Sequence, residues 1–189
     1  MTPDDILGFW FADGPNTPRE AWFKKDPGFD DSIRARFGEH LPAARDGALD
    51  GWTATPQGAL ALVIMLDQFP RNIHRASGLA FACDPQALAL ARAMVARRHD
   101  LALTPTQRVF AYLPFEHSES MADQDLSVAL IGGLRDTPHL ARPGGAIAFA
   151  WAHRAVIARF GRFPHRNAVL GRASTPAEVA YLAQPGAGF

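Results

Sequence analysis

The stretch "LVIMLDQFPRNIHR", residues 62–75, decides the fold, because its first half is apolar on nearly every side. A helix without a polar face is normally buried, so this stretch predicts a helix inside the protein. Pro70 lacks an amide hydrogen and cannot continue a regular helix. We therefore expect this buried helix to end at Phe69.

Asp67 falls in the last turn of this predicted helix, where the helix dipole is negative and disfavours a carboxylate. Burial of an unpaired charge is also costly. Asp67 should therefore have a cationic or hydrogen-bond-donating partner. Arg71 is the candidate nearest in sequence, and the basic stretch 159–172 is the second source.

Eight prolines directly follow a threonine or an aspartate, and this pattern is typical of helix starts. The first side chain can accept hydrogen bonds from the free amides of the first turn, where proline loses nothing. The motifs "TPDD", "TPRE" and "TPAE" add Asp5, Glu20 and Glu178 three residues after the cap, which predicts capping boxes. The eight pairs begin at Thr2, Thr17, Asp26, Thr55, Asp84, Thr104, Thr137 and Thr175.

Apolar residues recur at helical spacing between these starts, whereas alternating β-branched runs and Asn-Gly or Asp-Gly turns are missing from the sequence. We therefore predict an all-α fold of about eight to ten helices. A chain of this length fits a single domain over residues 1–189. Two lobes divided at the glycine- and proline-rich loop 136–145 are the alternative. The clearest helical stretches are 29–41, 85–98, 114–134 and 145–160.

The densest acidic patch lies in "YLPFEHSESMADQD", residues 112–125. If Pro114 starts a helix, Glu116, Glu119 and Asp123 share one face of it, and His117 and Gln124 lie on the neighbouring face. A solvated helix face is the simpler interpretation of such a patch. A face that pairs with arginines is the other.

The stretch "RFGRFPHRNAVLGR", residues 159–172, places four arginines and His165 beside apolar residues and contains no acid. Arginine that loses water needs carboxylates, and Asp67 with Glu116 and Glu119 are the acids still without partners. We therefore expect the three segments to meet. "QFPRN" at 68–72 and "RFPHRN" at 162–167 are similar, and two helix ends of this kind could face each other across a groove. His153, in an apolar row, is expected to be a core residue bonded to a carbonyl or carboxylate, and only a secondary candidate for the site.

The composition argues against several classes of function. Nineteen basic and nineteen acidic side chains cancel, which disfavours non-specific binding to nucleic acid or an anionic membrane. The longest fully apolar run, residues 59–66, is far shorter than a membrane helix needs. Cys83 is the only cysteine, so an internal disulfide is excluded, and a cytoplasmic location is expected. Metal-binding spacings such as HExxH are missing, and no cofactor is expected.

The sequence resembles a bacterial family of unassigned function, domain of unknown function 924. The resemblance covers nearly the whole chain. It implies a tetratricopeptide-like helical array, a fold that commonly binds peptides or small ligands in a concave groove. It implies no catalytic residue. The motifs that carry it are "ILGFWF", "WFKKDPGFD", "LDQFPRNIHR", "AFACD", "YLPFEHSES", "FGRFPHRNAVLGR" and "STPAE".

Three functions remain open at this point. The first, which we favour, is a binding domain whose charged groove holds a small anion or a peptide carboxylate through arginine. The second is an enzyme that uses His117 or His165 as general acid/base, oriented by Glu119 or Asp67. The third is a buried ion network that only stabilises the fold. The oligomeric state is left open. The candidate ligand-binding residues are Asp67, Arg71, Asn72, Glu116, Gln124, Arg162, Arg166 and Asn167.

Overall fold

The computed structural model describes residues 1–188. Its secondary structure is helical throughout, and none of these residues forms a strand, which confirms the all-α prediction. Eight of the α-helices have at least seven residues, and three are shorter. The helices are α1 Pro3–Trp10, α2 Pro27–Phe37, α3 Leu41–Arg45, α4 Pro56–Val63, α5 Phe69–Ile73, α6 Asp84–Ala96, α7 Pro105–Glu116, α8 Met121–Gly132, α9 Pro138–Ala141, α10 Ala146–Phe160 and α11 Pro176–Leu182.

Five of the eight cap-proline pairs start an α-helix with a side-chain cap. The capping residues are Thr2, Asp26, Thr55, Thr104 and Thr175. The capping box predicted at Thr17 and Glu20 is wrong, because Arg19 is extended there and its guanidinium donates to the carbonyls of Phe9 and Trp10. Asp84 is the first residue of α6 rather than its cap, and Thr137 makes no side-chain cap bond.

The buried helix does not end at Phe69, contrary to the sequence prediction. A π-helical turn, Ile64–Gln68, joins α4 to α5 and carries the helix through Pro70 to Ile73. The amide of Phe69 bonds to the carbonyl of Ile64, five residues back, so the hydrogen-bond pattern shifts just before the proline that lacks an amide. Asp67 therefore lies in the middle of a helical run, and the argument from the dipole of the last turn does not apply to it.

The helix predicted to start at Pro114 also differs. Pro114 is inside α7, which starts nine residues earlier at the capping box of Thr104 and Gln107. Pro114 lies in the last turn of α7, which ends at Glu116. The helix tolerates it there because the missing amide of proline affects only that last turn. Glu116 thus ends α7, Glu119 lies in the following loop and Asp123 lies in the first turn of α8, not on one shared face.

The buried apolar residues form two clusters of unequal size. The main cluster contains the apolar residues of the π turn and α4, and it extends to Ala150 in α10. In it the ring of Trp10 lies tilted against Phe69 and edge-to-face against Phe110. The small cluster holds Val156 and Ile157 of α10 together with Phe163. The two clusters thus adjoin within α10, and His153 lies between them in the chain.

One stretch, Gly78–Ala96, is long and apolar enough to cross a membrane by length and composition alone. It consists of a 3-10 turn, Gly78–Phe81, followed by α6, and it contains Asp84. Because α6 packs on α4 and α7 through buried Ala87, Ala91 and Met94, the stretch is a weak candidate for a membrane span.

Candidate functional site

Ten side chains from five parts of the chain form one connected group of contacts, and we call them the Arg166 site. The helical run 56–73 supplies two of them, the 3-10 turn before α6 and α6 itself supply two more, and the end of α7 supplies two. One comes from α10 and three come from the segment after it. The residues are Asp67, Arg71, Phe81, Asp84, Glu116, His117, His153, Phe163, His165 and Arg166.

Asp67 is 1% exposed and fully paired. Its Oδ1 lies 2.7 Å from His117 Nδ1 and 3.3 Å from Arg71 Nη1, and its Oδ2 accepts a 2.6 Å hydrogen bond from Gln68. Burial opposes ionisation, but Arg71 and His117 outweigh it and hold the pKa of Asp67 well below its usual value. Asp67 is therefore a carboxylate with the kind of partners that its buried position requires.

His117 is oriented by this carboxylate. An ionised carboxylate only accepts hydrogen bonds, so Nδ1 of His117 carries the hydrogen and donates it to Asp67. Burial, then the charge of Arg71, lower the pKa of His117, while Asp67 opposes them. The ring is therefore neutral near pH 7, with its basic nitrogen at Nε2. No residue among 1–188 makes a hydrogen bond to that Nε2.

Asp84 joins Arg71 to Arg166. Arg71 donates Nη1 to Oδ1 at 2.9 Å and Nη2 to Oδ2 at 3.0 Å, in the two-pronged geometry favoured by guanidinium and carboxylate. Arg166 reaches the same Oδ2 with Nη1 at 3.3 Å. The ring of Phe81 contacts both guanidinium groups, 5.5 Å from Arg71 and 4.6 Å from Arg166. Two cations thus share one carboxylate, and Arg71 has the larger share.

Arg166 is the least satisfied charged group of the site. It is 6% exposed and lies between two aromatic rings, with Phe81 at 4.6 Å and Phe163 at 4.5 Å. Within the described chain it makes a single hydrogen bond, the 3.3 Å contact with Asp84, and its buried Nε has no partner. Burial, then the charge of Arg71, lower its pKa to about 10.

Glu116 and His153 form an uncharged pair beside Asp67. Oε1 of Glu116 lies 3.1 Å from His153 Nδ1, which also lies 2.9 Å from the carbonyl of Phe149. Burial, then the charge of Asp67, raise the pKa of Glu116 to about 8. Burial, and then repulsion from His117 when that ring is protonated, lower the pKa of His153 to about 3. Near pH 7 the carboxyl is mainly protonated and the imidazole is neutral.

His165 closes the site on the side of the C-terminal segment. Its ring lies 5.6 Å from that of Phe163, and burial together with Arg166 lowers its pKa to about 4. The backbone of Gly188 passes so close that an added Cβ would stand 2.9 Å from the Cβ of His165. Gly188 also has a φ of +82°, so a larger residue is excluded at this position on both grounds.

Several candidate residues have partners other than those expected. Glu119 binds Arg172, at 2.7 and 3.0 Å, and accepts the amide of Phe163, so its arginine is Arg172 and not Arg166. Asn167 accepts a 3.0 Å hydrogen bond from the same Arg172 and donates to Ser174. These residues brace the segment that presents Arg166.

Three other candidates lie in separate contacts. Arg162 pairs with Glu178 at 2.6 and 2.8 Å, and Asn72 donates at 2.7 Å to Asp30, which Arg75 also binds. Gln124 donates to the carbonyls at the end of α7, including that of Glu116 at 2.7 Å. Arg162 and Asn72 do not contact the Arg166 site through these bonds, because they bind the carboxylates of Glu178 and Asp30 instead.

Sequence reasoning missed Phe163, although it lies in the basic stretch 159–172, and it also missed Phe81 and Asp84. Both belong to the quoted motif "AFACD", but Asp84 precedes a proline and was therefore interpreted as a helix cap. The signal that could have identified them is an aspartate three residues after a phenylalanine in an otherwise apolar segment. The similarity of "QFPRN" and "RFPHRN" does have a counterpart, since Arg71 and Arg166 meet at Asp84, although neither Phe-Pro pair ends a helix.

Two surface cavities lie away from this site. One, of about 490 Å³, is lined by Arg159, Arg162 and Glu178, and the other, of about 320 Å³, is lined by residues of α3, α4 and α6. Among residues 1–188 no group of three His, Cys, Asp or Glu side chains is arranged to hold a metal ion. The polar chemistry of the described chain is therefore concentrated in the Arg166 site rather than in a large cavity.

Comparison with known proteins places the chain in a family. The model of a bacterial protein family of unknown function, DUF924, matches residues 6–186. The chain belongs to this family. The DUF924 chain is also similar to a solved structure of a protein of unknown function, ATU0120 from Agrobacterium tumefaciens. The two are 41% identical, the match covers 96% of each chain, and the TM-score is 0.84. A search of the curated proteins gave no match.

Proposed function

We propose that this DUF924 protein binds a small oxyanion, with a carboxylate as the best fit, on the Nε and Nη2 edge of Arg166. The observation that carries the proposal is a guanidinium that is 6% exposed yet makes one 3.3 Å hydrogen bond to the described residues. Its unpartnered Nε is buried. With one edge turned to Asp84, the Nε and Nη2 edge is left to a ligand.

The energetics favour a ligand over an empty site. A buried donor without a partner costs about 1–3 kcal/mol, and more when it is charged. A carboxylate can accept two parallel, charge-assisted bonds from one guanidinium edge. Phe81 and Phe163 hold the guanidinium plane from both faces, so little side-chain freedom is lost on binding. These arguments rank binding above a purely structural network, in which such a donor has no use.

Thermal unfolding with a panel of anions tests this function. At constant ionic strength, formate, acetate, sulfate and phosphate are compared, and an anion that binds only the native state raises its melting temperature. The Arg166→Gln variant should lose that shift, and Arg166→Lys, which keeps the charge but not the two-pronged edge, should lose most of it. Arg162→Gln is the matched control, because Arg162 pairs with Glu178 outside the site, and this variant should keep the shift. An equal shift in all four proteins would contradict the proposal.

A second candidate is acid–base catalysis on the bound anion, favoured by the Asp67–His117 pair and its basic Nε2. Iodoacetate, an anion, should alkylate His117 faster than neutral iodoacetamide does, because Arg166 would concentrate the anion. Peptide mapping separates this product from alkylation of Cys83. Equal rates for the two reagents at His117 would count against catalysis. For either function we propose a cytoplasmic protein that acts on a small molecule rather than on nucleic acid or a membrane.

A further inference from the structure

Among residues 1–188, the charges of the Arg166 site balance without a ligand. Arg71 and Arg166 face Asp67 and Asp84 in one continuous chain of contacts. The remaining titratable groups next to them, which are Glu116 and three histidines, are neutral near pH 7. A bound anion therefore adds one uncompensated negative charge to a buried cluster, which is unfavourable unless a positive charge arrives with it.

His117 is a histidine of the site that already has an ionised carboxylate partner for an added positive charge. Its Nε2 is the basic nitrogen, and its Nδ1–H already points at Asp67, so an imidazolium at this position would keep a carboxylate partner at 2.7 Å. The ring of His153 lies 6.2 Å away. The charged and titratable groups that face His117 are Asp67 and Arg71 on the buried helical run, Asp84 on α6, Glu116 on α7, His153 on α10 and His165 on the following segment.

We propose that the Arg166 site binds its anion together with a proton, which is taken up by Nε2 of His117. The inference rests on the proposed anion-binding function and adds its pH dependence. The proton comes from solvent, no covalent bond to the ligand forms, and the protonated ring keeps its hydrogen bond to Asp67. Because the two binding events are linked, the proton tightens anion binding by the same factor by which the anion favours protonation.

The measurable consequence is an affinity that rises as the pH falls. With roughly one proton taken up per anion, affinity should change by up to about tenfold per pH unit over the range in which His117 is neutral alone and charged in the complex. Formate and sulfate are suitable probes, because their own charge is constant between about pH 6 and 8. A planar and a tetrahedral probe also separate a carboxylate ligand from a phosphate-like one.

Isothermal titration calorimetry tests the linkage directly. Formate is titrated into the full chain at pH 6.5, in buffers with different heats of ionisation, and the slope of heat against buffer heat gives the protons taken up. We expect uptake of roughly half to one proton for the wild type and for His40→Gln, an exposed control outside the site. His117→Gln should bind with no uptake. Uptake that persists in His117→Gln would overturn the assignment to His117.

A second measurement needs no variant and covers the case in which His117→Gln does not fold. The pKa of His117, followed through its ring carbon-bound proton by NMR, should rise on addition of saturating formate. Saturable binding without a rise in that pKa, or without uptake, would overturn the linkage and leave the anion site in place. No binding of formate or sulfate at all would instead contradict the proposed function.

Discussion

Of two neighbouring carboxyl groups in the Arg166 site, one is ionised near pH 7 and the other is protonated, and their partners explain why. Asp67 is kept ionised by Arg71, His117 and Gln68. Glu116 is as deeply buried, at 3% exposure, but its charged neighbour is Asp67 itself. Burial therefore wins at Glu116, and its pKa rises to about 8. At the scale of single residues, the number of donors within reach decides which acid keeps its proton.

The substitution Glu116→Gln tests this assignment through the pH dependence of stability. Between the pKa of the unfolded state and about 8, the native wild type holds a proton that the unfolded chain releases, so its free energy of unfolding falls as pH rises. Gln cannot ionise and removes that fall, by up to about 1.4 kcal/mol per pH unit. In urea unfolding at pH 5.5, 7 and 8.5, the free energy of unfolding of the variant should rise relative to that of the wild type as the pH increases. Parallel curves would mean that Glu116 is ionised in the native state.

At the scale of helices and turns, the sequence predicts starts better than ends. A threonine or aspartate before proline acts locally, through bonds within one turn, and five such caps have the expected side-chain bond. Pro70 and Pro114 were expected to stop or start helices, yet both lie within helical runs. Tertiary packing overrides the local rule there, because the π turn before Pro70 is fully buried.

The same contrast applies to the site. A carboxylate amid apolar residues needs a partner wherever it lies, so the pairing of Asp67 could be inferred without coordinates. Which of the arginines between 159 and 172 meets which acid depends on a few ångströms of three-dimensional placement, and Arg172 rather than Arg166 reaches Glu119. Asp84 was hidden because the Asp-Pro pair has a simpler local explanation.

Helix capping gives a matched pair of variants at this scale. The side chain of Thr175 accepts a hydrogen bond from the amide of Glu178, and the carboxylate of Glu178 accepts one from the amide of Thr175. Thr17 is also exposed and precedes a proline, but it caps no helix. We expect Thr175→Ala to lower the free energy of unfolding by about 1 kcal/mol and Thr17→Ala to change it by a few tenths at most. Chemical denaturation measures both. Similar losses in the two variants would show that the cap at Thr175 is not the cause.

At the scale of the whole molecule, the site lies where a large and a small apolar cluster adjoin. The main cluster stabilises the helices up to Ala150, whereas the small one has three buried members, Val156, Ile157 and Phe163. Beside this small cluster, Arg162 and Arg172 are held by ion pairs with Glu178 and Glu119 of other segments. Arg166 is thus presented by the less densely packed part of the described chain.

Hydrogen exchange should reveal this difference in packing. Amides of the 3-10 turn Pro164–Arg166 and of α11 are expected to exchange faster than those of α4 and the π turn, because fewer buried apolar contacts oppose local opening. Mass spectrometry of peptides from both regions measures the rates. Saturating formate should slow exchange at 164–166 more than in α4. Uniform protection across both regions would contradict this picture of two unequal clusters.

The Nε–H resonance of Arg166 in a ¹H–¹⁵N NMR spectrum reports on the buried edge that we propose binds an oxyanion. It is assigned by its loss in Arg166→Lys. On titration with formate at constant ionic strength, we predict a saturable downfield proton shift of this resonance as the Nε–H donates to the carboxylate. The Nε–H of Arg162, which already donates to Glu178 at 2.6 Å, should stay in place. An Arg166 resonance that does not move at any formate concentration would contradict the account.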